Sequence, residues 1–147
     1  MRTLFIIGSL LCVPVISQAN TYFGDVNFTH ITPSSEQAIW QASSQLPLKY
    51  PVELAKQMII GCGIFNVEIS AEGKTNKVSL ISEVTNKKSL AKETIKTLKR
   101  FKWQPQAGQV AAASEQVIRL DYCLGGDSIE SAQARCQTQA KLPCSKT

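Results

Sequence analysis

Phe65, Val67 and Ile69 alternate with Asn66, Glu68 and Ser70, a two-residue period that predicts a half-buried strand entered through Gly61, Cys62 and Gly63. Ala71, Glu72 and Gly73 predict a tight turn, and Val78, Leu80 and Ile81 the returning strand of a hairpin. The period then changes. Leu90, Ala91, Ile95, Leu98 and Phe101 recur at helical spacing, with Ser89 as the expected cap. Pro105, Gly108 and the small residues 111–113 predict a loop. Ile118, Leu120, Tyr122 and Leu124 then alternate with Val117, Arg119, Asp121 and Cys123 in the clearest strand of the chain, which Gly125 and Gly126 end. This order of strands and one principal helix predicts the α+β class.

The flanks carry weaker patterns. Residues 20–33 mix Tyr22, Phe23 and Phe28 with polar residues at no clear period and read as a partly extended lead-in. Ser34 and Ser35, followed by Glu36 and Gln37, predict the start of a short helix through Ala38, Ile39, Trp40 and Ala42, ended before Pro47. After Tyr50 and Pro51, the positions Val52, Leu54, Ala55, Met58 and Ile59 predict a turn or two of half-buried helix. In the tail, Asp127 with Glu130 predicts the N-terminus of a weakly apolar helix through Ile129, Ala132 and Cys136.

The first residues change the picture. Arg2, an apolar run over residues 4–16 and then Ser17, Gln18 and Ala19 predict a secretory signal cleaved after Ala19. The alternative is an uncleaved anchor, but a spanning helix needs about 20 apolar residues and this run is shorter. Cleavage takes the formal net charge of +5 down by the one of Arg2 and removes Cys12. What is left is Cys62, Cys123, Cys136 and Cys144, an even set in a small exported chain, which predicts structural disulfides and a disulfide-clipped helical tail. The predicted divisions are a signal peptide (1–19), a lead-in with a short helix (20–49), a main domain (50–126) and a tail (127–147).

Catalytic chemistry finds little support. No nucleophile–base pair, carboxylate dyad or ligand cluster stands out, so no enzyme, cofactor, metal or small-molecule substrate is expected. His30 has no second ligand type near it, and Gly61 with Gly63 lacks the rest of a nucleotide loop. Lys92, Lys96, Lys99, Arg100 and Lys102 form a basic helix face that reads first as solvated. No aromatic residues interleave with them as a nucleic-acid platform requires, and nucleic acid is not expected as a partner.

Tyr50-Pro51 with Ala55, then Gly61, the hairpin turning at Gly73, the helix, and Phe101-Lys102-Trp103-Gln104-Pro105 resemble the C-terminal domain of the TonB family of energy transducers, over about residues 50–124. The resemblance implies a three-stranded antiparallel sheet with the helix packed on one face, the first strand central and the last at an edge. It implies that Cys62 and Cys123 face away from the helix and pair, leaving Cys136 with Cys144. It also implies a periplasmic protein that binds an extended peptide of an outer-membrane receptor, or another envelope subunit, by adding it to the last strand. On this chain the binding segment is Val117, Ile118, Arg119, Leu120, Asp121 and Tyr122, with Arg119 and Asp121 tuning the partner. Full transducers keep a membrane helix and a proline-rich spacer; here the start looks cleavable and residues 20–49 hold only Pro33 and Pro47. The expected role is therefore an accessory binding domain, with a short anchored transducer or an edge-paired homodimer as alternatives.

Overall fold

A computed structural model describes residues 22–43 and 48–145. The expected signal peptide lies outside the described residues. In chain order the elements are β1 (Gly24–Thr32), β2 (Trp40–Ala42), α1 (Val52–Lys56), β3 (Gly61–Ile69), β4 (Thr75–Thr85), α2 (Ala91–Arg100), β5 (Trp103–Pro105), β6 (Ser114–Leu124) and α3 (Ile129–Gln139). The class is α+β as expected. β4, β3 and β6 form the antiparallel trio with β3 between the other two.

The sheet is larger than expected. Its order is β1-β6-β3-β4, with β1 antiparallel to β6 from Gly24 opposite Leu124 to Thr32 opposite Val117. The supposed lead-in is thus a fourth strand, and β6 is an inner one. Within β1, Val26, Phe28 and His30 oppose Tyr122, Leu120 and Ile118, so a two-residue period does run through it. It was hidden because the apolar positions are only three and one is histidine.

The helix expected after Pro33 is absent. Ser34 accepts from the N–H groups of Gln37 and Ala38 in a single turn, after which Trp40 starts β2 and pairs with β5 in a separate two-stranded sheet. Tertiary anchoring overrides the local helix signal. The Trp40 ring is buried, its Nε1–H donates to the Ala112 carbonyl at 2.9 Å, and its edge lies over Gly73, where a Cβ would sit 3.0 Å from it. Gly73 also has φ +72, so glycine is required there on both counts.

The hydrophobic stripe of α2 forms as expected, with Leu98 fully buried and Ile95 packed at the margin. Its start differs in detail: Leu90 is the N-cap and has no capping side chain of its own. Ser89 accepts from the Ala91 N–H at 3.1 Å, and the carboxylate of Glu83, reaching from β4, accepts from the Leu90 N–H at 3.1 Å. A charge-assisted bond there also satisfies the positive end of the helix. Glu83→Ala is expected to cost about 1 kcal/mol in a urea titration, with Glu83→Gln retaining part of it.

α3 lies on the opposite face of the sheet. Its N-cap is Ser128 and not Asp127: Ser128 and Ser131 accept from each other's backbone N–H groups in a capping box. Alternation in β6 sends Ile118, Leu120 and Tyr122 towards α2, where the hydroxyls of Tyr122 and Thr94 lie 2.9 Å apart. Arg119, Asp121 and Cys123 point towards α3.

Candidate functional site: the strand β6 and what covers it

None of the six residues expected to bind a partner is exposed. Ile118, Leu120 and Tyr122 belong to the main core with Phe65, Val67, Trp103 and Leu98. Backbone groups on both sides of β6 are engaged, by β3 along one and by β1 along the other. The expectation that β6 forms an edge is therefore corrected.

Arg119 and Asp121 do not lie on an open face. The guanidinium grips the carboxylate through Nη2 at 2.8 Å and Nε at 3.0 and 3.2 Å, with side-chain exposures of 12% and 0%. Arg119 also donates to the carbonyls of Gln139 at 3.0 Å and Leu142 at 2.8 Å, the last turn of α3 and the chain just beyond. The Gln139 amide in turn donates to the Gly61 carbonyl at 2.6 Å and to Asp121 at 3.3 Å. This buried network ties the tail to the middle of the sheet.

The disulfides are also corrected. They join Cys62 to Cys144 and Cys123 to Cys136. Cys62 and Cys123 do share the face away from α2, but Cys62 stands opposite Asp121, while β3 begins at Gly61 opposite Tyr122 and does not extend as far as Cys123. Cys123 instead faces Asp25 of β1 and takes Cys136 from the helix laid over it. The chain after α3 then crosses back to Cys62, held by a bond from the Ser82 hydroxyl to the Cys144 carbonyl at 2.8 Å.

The motif residues have structural work. Tyr50 donates its hydroxyl to the Ile59 carbonyl and sets its ring edge-on to Tyr122, with centroids 5.4 Å apart. Burial raises the ionisation of both phenols well above the usual tyrosine range, for Tyr122 against the smaller opposing effect of Thr94. Pro51 is the N-cap of α1, which also contains Ala55, and Gly61 opens β3 at φ +146, where a Cβ would fall 2.1 Å from the Val84 carbonyl oxygen. Phe101 and Trp103 pack edge-on at 5.1 Å, the Trp103 Nε1–H donates to Thr75 Oγ1 at 2.9 Å, and Pro105 stands opposite Trp40. The spacing of aromatics and proline turns α2 into β5.

β1 is held differently from the strands beside it. No residue of β1 is fully buried, whereas Gln116, Ile118, Leu120, Asp121, Tyr122 and Cys123 of β6 all are. Its Phe28 packs on Trp103 at 6.0 Å and, within the strand, on His30 at 4.8 Å, while α3 lies against the strand. The Nδ1 atom of His30 is buried without a hydrogen-bond partner, and burial lowers the imidazole below its ordinary range. The unfolded chain therefore binds this proton at a higher pH than the folded one, so the contribution of His30 to stability is undiminished above about pH 6.5 and declines as pH falls below it. Urea midpoints are expected to drop between pH 7.5 and 5, and less so in His30→Gln.

Among the described residues, no group of three or more His, Cys, Asp or Glu side chains is placed to hold a metal ion, and no helix is long and apolar enough to cross a membrane. Fold and site together define a disulfide-stapled α+β domain whose marginal strand, β1, holds no fully buried residue. Residues 47–124 match the family described as Gram-negative bacterial TonB protein C-terminal, and the chain belongs to that family. It is a TonB-like protein of the cell envelope. No curated protein and no solved structure matches it.

Proposed function

We propose that this protein is a periplasmic accessory of TonB-dependent outer-membrane transport which binds an extended segment of a receptor, or of another envelope protein, by pairing it with β6 in place of β1. The observation that carries this reading is the pairing of β6 with a nine-residue marginal strand that holds no fully buried residue. Backbone ladders confer affinity in strand addition, and alternate side chains confer register. β1 marks what fits: apolar or aromatic groups opposite Tyr122, Leu120 and Ile118, where it has Val26, Phe28 and His30, with small polar groups between. A marginal strand without a fully buried residue is also the kind of segment that opens locally.

The test uses β1 itself as the stand-in ligand. A labelled peptide of residues 23–33 is expected to bind the Asn27→Pro chain, whose β1 is weakened, more tightly than it binds the natural chain. The same variant is expected to capture more receptor from an envelope fraction. Equal peptide binding by both chains would count against exchange at β6. Concentration-dependent dimers of the variant would instead show β1 being traded between copies.

A further inference from the structure

Residues 72–102 hold nine lysine and arginine side chains against Glu72, Glu83 and Glu93, in a chain whose other charges nearly cancel. All nine cations are exposed. On α2, Lys92, Lys96, Lys99 and Arg100 fall within one arc of about 100° at helical spacing. Lys87 and Lys88 prolong the strip beyond one end of the helix. Lys102 prolongs it beyond the other, where it stands opposite Lys74 in an isolated bridge. Like charges directly opposite one another repel, so this pair opposes the fold's own stability. The local acids do little to neutralise the strip: Glu83 serves the helix cap and Glu93 meets Lys96 at 3.7 Å. Lys92, Lys99, Arg100 and Lys102 have no ion-pair partner among the described residues.

We propose that this strip docks the protein on the surface of an anionic phospholipid bilayer. Eight of the nine cations are lysines, hydrated point charges suited to a diffuse negative field, where bidentate recognition of one carboxylate or phosphate would favour arginine. The arc carries no aromatic or large apolar side chain, so the protein adsorbs at the headgroups and does not insert. α2 packs on β4, and β1 lies three strands away at the far side of the sheet. A bilayer under α2 therefore leaves β1, the far margin of the sheet, away from it.

Flotation of the full chain with phosphatidylcholine vesicles, with and without about a third of phosphatidylglycerol, tests the proposal at about 0.05 and 0.5 M salt. Binding is expected only with the anionic lipid, and only at low salt. Each cation near a charged membrane contributes about fivefold in affinity, so Lys92→Gln/Lys99→Gln/Arg100→Gln/Lys102→Gln is expected to weaken binding by more than a hundredfold. A second variant, Lys49→Gln/Lys56→Gln/Arg135→Gln/Lys141→Gln, removes four exposed charges elsewhere and is expected to lose less than tenfold. Far-ultraviolet circular dichroism checks that both variants are folded. Binding to neutral vesicles, equal losses in the two variants, or retention on an acidic protein column with no vesicle binding would each overturn it.

Discussion

Arg119→Ala is expected to destabilise the fold by about 3–5 kcal/mol, the cost of leaving a buried charge without its partner. The Asp121 carboxylate has no solvent exposure and takes three of its hydrogen bonds from this one guanidinium, the fourth coming from Gln139. The carbonyls of Gln139 and Leu142 lose their donor in the same step, so the tail loosens along with the sheet. Arg119→Lys is expected to fall between, since an ammonium cannot span both carboxylate oxygens and both carbonyls. Arg119→Met with Asp121→Leu removes both charges and is expected to recover much of the loss, separating the buried-charge penalty from lost packing. Urea unfolding of the four chains measures this. A loss below about 1 kcal/mol for Arg119→Ala would mean that the pair is solvated.

Breaking the long staple with Cys62→Ala/Cys144→Ala is expected to cost about 4.5 kcal/mol, since it closes a loop of 82 residues. Cys123→Ala/Cys136→Ala, with a separation of 13, is expected to cost about 3 kcal/mol. Thermal melts rank the two. A digest made without reduction should link Cys62 to Cys144 and Cys123 to Cys136, and a fragment joining Cys62 to Cys123 would overturn the arrangement of the tail.

The hairpin of β3 and β4, the helix α2 and the strand β6 were legible because each buries one face and so displays its period over several residues. The order of those strands followed from the TonB resemblance. β1 and β2 were not legible. β1 draws its hold from pairing with residues some 90 positions away, and β2 is three residues whose conformation is set by the Trp40 pocket and by β5. The cysteine pairing failed for a related reason. Choosing among three pairings needs the position of α3, and that position depends on Arg119, Asp121 and Gln139, polar residues whose burial no hydropathy pattern announces. Glu83 escaped notice as a cap because it is near its helix in space and belongs to another element.

The bond between Cys62 and Cys144 has a mechanical consequence. A pull between the two ends of the described chain passes from residue 62 through the disulfide to residue 144 and bypasses everything between, including β4, α2, β6 and α3. Only residues 22–61 can be drawn out, roughly 140 Å at about 3.5 Å per residue. The first element to yield would be β1, at the sheet's margin, while the strand it uncovers stays in place inside a covalent ring. Under load this protein would lengthen like a short tether and keep β6 inside its covalent ring.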